Sequence, residues 1–432
     1  MIKIYKNRWL NLPREIKFEK IYFYMGLVFA FTMPISRVMI SFFIIAFPLV
    51  WIIEGDFKRK WQEIKESNFL TIFMLFYIII LISAIFFSDN SKVAFKFSRL
   101  YLYWLSIFVL ATSIKKEWIN SILSAFLFGM LISEFIAYGV FFEIWQWKHD
   151  AQNTLSPFML HIDYSVFLAF TSILLFTRIL SKFYSLKQKF FMLLFFISTT
   201  GNLFLQTGRT GQVAYIVAII VMFFLHYKFR IKAILLATVS IIIIYSLSFN
   251  FSNNFQKRVN DTINEIKIIK NGNLNTSWGT RMAFFITTYE ILKQNPIFGI
   301  GLGDFEEETA KILKMEKFSN YDSYLKNFMS SNHYHNQFLM ISVQMGLIGL
   351  FFCITLYFLG FKMAIQTKDR ELRDIFILFM VIYTVGSFAD PLWNKQFTQI
   401  IWVFIISLMM ANKKYEMKDS LKDFVNKSIF KG

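Results

Sequence analysis

Arg209 stands in Leu205-Gln206-Thr207-Gly208-Arg209-Thr210-Gly211, a short polar turn between two apolar runs. Glycines on both sides let the backbone turn sharply and approach a ligand closely. The competing reading is an arginine that snorkels from a helix end to water. Arg281 stands in Trp278-Gly279-Thr280-Arg281-Met282, at the expected start of a helix. A helix N-terminus beside a guanidinium is a natural anion site, although an ordinary surface arginine would read the same way. His335 stands in His333-Tyr334-His335-Asn336-Gln337-Phe338-Leu339. A neutral imidazole, with an ordinary pKa of ~6.5, can take a proton from a hydroxyl at neutral pH; the plainer reading is a hydrogen-bonded interfacial histidine. His333 has the same chemistry two residues away, but points elsewhere if residue 335 begins a helix. The His-x-His spacing raises a metal reading; no third ligand stands nearby in the chain, so no metal is expected. Upstream, Asn295-Pro296-Ile297-Phe298-Gly299-Ile300-Gly301-Leu302-Gly303-Asp304-Phe305 offers Gly-x-Gly-x-Gly. No strand precedes it, so a dinucleotide fold is rejected and a loop of close backbone approach is expected.

The elements that must position these residues are membrane helices. The chain has 432 residues and is 56% hydrophobic. Segments such as 68–87, 119–142 and 232–249 approach the ~20 apolar residues needed to cross a bilayer. Backbone groups in lipid must be satisfied within the segment, so these runs read as helices, and the alternation of a membrane barrel is absent. Residues 21–53 are too long for one span at ~1.5 Å per residue, and Pro34 interrupts them. Lys17 and Lys20 before the run, and Lys58, Arg59 and Lys60 after it, put both ends on one side, so the run is a hairpin of spans 20–33 and 38–53. Further spans are expected at about 68–87, 97–113, 119–142, 158–178, 188–205, 212–227, 232–250, 336–361, 374–389 and 396–411. The fold class is all-α, with about twelve spans.

Charge orients them. The formal net charge is +18, and the loops around Lys115-Lys116, Arg178 to Lys189, Lys228 to Lys232 and Lys362 to Arg373 fall on the same side as both termini. Basic residues concentrate on the cytoplasmic side, so both termini are expected there, in a bacterial inner membrane. The opposite face carries short loops near 34–37, 88–96, 143–157, 206–211 and 390–395. It also carries one long segment, 251–335, expected to hold helices around 281–293 and 305–317. Three regions follow: 1–250 with about nine spans, the outer loop 251–335, and 336–432 with about three spans and a basic tail. All three candidate residues fall on the outer face. The basic surplus serves topology, so no nucleic acid partner is expected. The polar, basic residues 1–20 lack a cleavage pattern after the apolar run and read as the start of an uncleaved span. The lone Cys353 lies in an apolar run and excludes an intrachain disulfide or cysteine-based metal site.

The stretches Gly299 to Phe305, His335-Asn336-Gln337-Phe338-Leu339 and Gln344-Met345-Gly346-Leu347-Ile348-Gly349-Leu350 resemble the O-antigen ligase and O-antigen polymerase superfamily. The Arg209 turn, Arg281, Ser387-Phe388-Ala389-Asp390 and Pro34-Ile35-Ser36-Arg37 match the layout of that family. The resemblance implies a membrane glycosyltransferase of the GT-C type. Its ligases join a glycan carried on undecaprenyl pyrophosphate to a lipid A–core oligosaccharide at the periplasmic face. It implies that Arg209 and Arg281 bind the pyrophosphate, that His335 acts near the acceptor hydroxyl, and that Asp390 supports the site. Asn336 and Arg37 join the substrate-binding set on the same ground. It implies no cofactor, no nucleotide sugar and no metal.

Two guanidiniums would stabilise the anionic leaving group where its charge develops, and a base would activate the sugar hydroxyl. The lipid carrier needs a lateral groove, which the many phenylalanines could line. An O-antigen polymerase, which extends a lipid-linked glycan, is the nearest alternative. From another class come a lipid-linked glycan flippase, favoured by Glu134 inside span 119–142, and a non-catalytic assembly scaffold. No inverted repeat supports transport.

Overall fold

The computed structural model describes residues 13–147, 154–228 and 230–429. The basic segment 1–12 and the middle of the loop expected at 143–157 lie outside the described residues. Helices carry most of the described chain, and no strand occurs among the described residues. The first hairpin is α1 (Arg14–Thr32) and α2 (Arg37–Glu54). It turns where Pro34 breaks the run, and the Ser36 hydroxyl caps α2 by accepting from the Met39 amide at 3.2 Å. A short amphipathic helix, α3 (Phe57–Glu66), leads to α4 (Asn68–Ile82), which continues as a π-helical turn to Phe87. Next, α5 (Ser91–Leu100) runs through a 3-10 turn into α6 (Ser106–Ser113). Then come α7 (Ile119–Phe141), α8 (His161–Leu180), α9 (Leu186–Leu205), α10 (Arg209–Tyr227) and α11 (Ile231–Phe251).

The long segment expected at 251–335 holds α12 (Asn253–Lys270), α13 (Ser277–Gln294), α14 (Phe305–Ile312) and α15 (Ser323–Ser331). The chain closes with α16 (Gln337–Gln366), α17 (Arg370–Ala389) and α18 (Gln396–Ile429). Ten described segments are long and apolar enough to cross a membrane. α1 and α18 coincide with the other two expected spans, but polar residues such as Lys17, Lys20, Gln396 and Gln399 shorten their apolar runs. The chain is a multi-pass, all-α membrane protein.

The packing centres on α8, which is 83% buried over its spanning window and packs against α9, α10 and α17. Small residues allow this close approach. A Cβ on Gly211 would lie 2.1 Å from the Ser165 carbonyl oxygen, and the Gly211 amide donates to the Ser165 hydroxyl at 2.9 Å. A cage of Trp104, Trp393 and Trp402, with centroids 4.8 to 5.7 Å apart, ties α18 to the 3-10 turn after α5.

The expected span 336–361 is a broken helix. Gly346 takes φ +61° inside α16, where a helical φ is negative. The backbone groups freed by the break are taken up by the glycine-rich loop. The Ile300 amide donates to the Val343 carbonyl at 3.0 Å and the Gly301 amide to Gln344 at 3.2 Å, while the Leu347 amide donates to Pro296 at 2.9 Å. Non-helical backbone at such a place is tolerated where protein groups satisfy it. Gly299 (φ +68°) and Gly301 (φ +98°) permit the contact, since a Cβ on Gly299 would meet the Val343 oxygen at 2.5 Å. The two motif stretches, 299–305 and 344–350, are therefore one structural unit. The helix expected over 305–317 stops earlier, at Ile312.

Candidate active site

The site lies at the end of the bundle where α8, α10, α16 and α18 begin and α17 ends. Its centre is Asp390, fully buried immediately after α17. The His333 Nε2 lies 3.2 Å and the His335 Nδ1 3.5 Å from Asp390 Oδ1. Lys395 forms a close ion pair with Asp390 Oδ2 and lies 3.7 Å from Asp163. Burial by itself raises the Asp390 pKa, but the hydrogen bonds to His333 and His335 and the charge of Lys395 outweigh it and hold the carboxyl well below its usual range. The carboxylate is therefore ionised at neutral pH and can orient both imidazoles.

The structure brings His333 into the site, contrary to the expectation that it points elsewhere. Residue 335 does not begin a helix. α16 starts at Gln337, with Asn336 as its cap, and the segment before it is not helical. Residues two apart in extended backbone face the same way, so the two rings sit 4.7 Å apart. Tyr334 faces the opposite way and shares a hydrogen bond of 2.7 Å with the Thr309 hydroxyl. The absence of a third metal ligand near the His-x-His pair is likewise corrected. His333, His335 and Asp390 offer ligand atoms within 4.8 Å of one another, the carboxylate arriving from 55 residues beyond His335 in the chain. Lys395 already places a cation on that carboxylate.

Arg281 stands one turn into α13, half-buried, with Nη1 donating to the Ser277 carbonyl at 2.9 Å and its hydroxyl at 2.8 Å. Burial lowers its pKa, against the charges of Asp390 and Glu265; an arginine so shifted remains cationic at neutral pH. Arg281, His335, Asn336 and Phe388 line a space of about 20 Å³. That is room for about one water, so a substrate has to displace side chains there. Phe328 lies parallel to the His335 ring at 6.1 Å. Arg209 is the first residue of α10 and makes no hydrogen bond or ion pair among the described residues. It lies within electrostatic range of Arg281, Arg258, Glu265 and Asp261. Its flanking glycines serve packing: a Cβ on Gly208 would lie 2.5 Å from the His161 carbonyl, and Gly211 faces Ser165.

Asn336 has a structural duty. Its Oδ1 accepts from the Phe338 and Leu339 amides at 2.8 and 3.1 Å, and its Nδ2 donates to the Phe388 carbonyl at 3.2 Å. Arg37 is exposed at the start of α2, with its guanidinium carbon 5.4 Å from the Phe397 ring centre. Sequence reasoning missed Lys395, Asp163 and Arg258. Lys395 was findable, since a lysine in a short outer loop violates the charge bias as Arg209 does. Glu134 lies elsewhere, buried within α7 and accepting from the Ser198 hydroxyl at 2.8 Å.

Fold and site together define a multi-pass membrane protein with a carboxylate–imidazole cluster and an arginine group at one end of its bundle. Comparison with known proteins finds likenesses over part of the chain. A family model described as O-antigen ligase matches residues 192–354, the part of the chain that holds most of the motifs carrying the resemblance. Over 189 residues it is 28% identical to an O-antigen ligase of Escherichia coli K12, covering 43% of this chain and 42% of the relative. It is also 28% identical over 181 residues to an uncharacterized protein of Haemophilus influenzae, covering 40% of this chain and 44% of that one. The chain thus spans less than half the length of the curated relatives it matches. The matched region includes Arg209, Arg281, His335 and the Gly346 break, and excludes Asp390, Lys395 and Arg37.

Proposed function

We propose that this protein is an O-antigen ligase, transferring a glycan from undecaprenyl pyrophosphate to a sugar hydroxyl of lipid A–core at the periplasmic face of the inner membrane, with both termini cytoplasmic. The observation that supports the reading is Arg281 lining one space with His335, with Arg209 within electrostatic range of Arg281 and Asp390 against His335; the three basic residues fall in the matched region and Asp390 lies beyond it. Asp390 accepts from His335 Nδ1–H, which leaves the Nε2 lone pair to receive a proton. The acceptor oxygen forms its bond to the anomeric carbon as the bond from that carbon to the pyrophosphate oxygen breaks. The hydroxyl proton goes to His335, and the negative charge of the leaving lipid pyrophosphate falls to Arg209 and Arg281. Such preorganised charges act where charge develops and are the largest common source of rate.

No metal is routed through this scheme. His333, His335 and Asp390 offer ligand atoms for a divalent ion, but the Lys395 ammonium on Asp390 Oδ2 opposes a second cation there, and the two arginines already supply the cationic charge. Reconstituted enzyme with lipid-linked donor and purified lipid A–core tests the reading. A lipid A-linked product, formed at the same rate with a chelator present, is expected. A longer carrier-linked chain would identify a polymerase instead. Movement of donor across the bilayer without any product would identify a flippase.

A further inference from the structure

An apolar groove lies away from Arg209 and Arg281. Ile44 and Ile45 of α2 form one wall, and Phe97, Leu100 and Tyr103 the other, around about 500 Å³. Leucine and isoleucine rather than a run of phenylalanines line it. The α2 wall faces outward, with Ile45 64% exposed, so the groove opens sideways to lipid. At its rim α5 carries Lys92, Lys96 and Arg99, at i, i+4 and i+7 on one helix face. All three are exposed, and no carboxylate lies in ion-pair range of any of them among the described residues. Arg99 only rests over the Phe95 ring at 5.8 Å. α5 begins at the same end of the bundle as the site, because Ser88 and Asp89, just before it, bind Asp304 at 3.0 and 2.7 Å. Three cations there run against the bias that keeps basic residues on the other side.

The groove also reaches the site. The Gln396 Nε2 donates to the Ser41 hydroxyl at 3.1 Å and to the Tyr103 hydroxyl at 3.0 Å. Ser41 and Tyr103 line the groove, and Gln396 follows Lys395, the partner of Asp390.

Transfer between two amphiphiles requires two lateral routes to one centre. Arg209 and Arg281, on α10 and α13, mark the route of the pyrophosphate carrier. We infer that the groove between α2 and α5 is the second route, and that it docks the acceptor as an acyl lipid carrying more than one phosphate. The cations extend over about 10 Å of helix, which matches two separated phosphates better than a single headgroup phosphate. The identity of the lipid rests on the proposed transfer reaction; the groove and its charges do not.

The test is binding rather than turnover. Full-length protein in nanodiscs is titrated with bisphosphorylated lipid A, with the same lipid after phosphatase treatment, and with phosphatidylglycerol. The bisphosphorylated form is expected to bind best. Lys92→Gln, Lys96→Gln and Arg99→Gln combined should weaken it on the order of a hundredfold, and the charge-keeping set Lys92→Arg, Lys96→Arg and Arg99→Lys should largely restore it. Ile45→Trp, which fills the groove, should weaken binding with all cations intact. Equal binding of the phosphatase-treated lipid, or of phosphatidylglycerol, would overturn the assignment. Binding as expected without any transfer would keep the groove and discard the ligase reading.

Discussion

At the scale of single residues, the proposed reaction separates into charge stabilisation and proton transfer. Arg209→Ala and Arg281→Ala should each lower transfer by roughly 10²–10³, the range for losing a donor to a developing anion. Arg→Lys should restore only part, because an ammonium lacks the planar fork. Wild-type rates in either alanine variant, measured with reconstituted donor and acceptor, would remove that arginine from the reaction. His335→Ala should lower the rate by roughly 10²–10⁴. His333 is no longer a silent control, because it shares Asp390 Oδ1 with His335; His333→Ala should give a smaller loss, by releasing a group that helps hold the carboxylate. Substantial activity in His335→Gln, with no acid limb, would leave His335 orienting the acceptor instead of accepting its proton.

Asp390 gives a pH prediction of definite sign. Its folded pKa is depressed below the ordinary 3.8, so the unfolded state binds the proton first as pH falls. Its stabilising contribution is complete above that ordinary value and is lost progressively below it. Thermal unfolding of wild type and Asp390→Asn should therefore show a gap that narrows as pH drops from 4 to 3. A gap constant over that interval would contradict the ion-pair account. An acid limb of activity between pH 5 and 8 would belong to another group.

At the scale of elements, the loop at 296–301 takes up the backbone groups freed by the break in α16. Gly346→Ala would place a Cβ 2.3 Å from the Ile297 carbonyl at φ +61°, so it should destabilise by about 1–3 kcal/mol for the backbone alone and more with the clash. Gly299→Ala meets the Val343 carbonyl in the same way. Gly26→Ala is the comparison, since its Cβ would meet only the flexible end of Ile122 at 3.3 Å. Lower melting temperatures in detergent for the first two, and little change in the third, are expected. Equal stability of all three would mean that the loop does not brace the helix. The motif that reads from sequence as a loop of close backbone approach thus makes that approach to a broken helix and supplies its hydrogen-bonding partners.

At the scale of the whole molecule, the proposed topology puts both termini on one side of the membrane and the site on the other. Single cysteines placed in α12 to α15, in a Cys353→Ala background, should react with an impermeant thiol reagent in intact cells after outer-membrane permeabilisation. Cys353 is fully buried, so its removal clears the background without altering the surface. Labelling only after inner-membrane lysis would invert the topology and place the site in the cytoplasm.

The sequence by itself determined the all-α class, the first hairpin and the positions of the long apolar helices, ten of which are long and apolar enough to cross a membrane, because length and hydropathy are local properties that a bilayer reads directly. It also singled out Arg209, Arg281 and His335, because polar residues on the side poor in Arg and Lys stand out against a simple expectation. It could not show that His333 and His335 share one carboxylate, since Asp390 is 55 residues beyond His335 and only the packing of α16 against α17 brings it near. It could not show the break at Gly346 either. A glycine in an apolar run reads as tolerated helix until another part of the chain supplies partners for the freed backbone groups, and the loop at 296–301 is such a partner. Ion pairing, the direction of a side chain two residues from a helix start, and the use of glycines for packing all depend on which elements meet, and only the tertiary structure decides that.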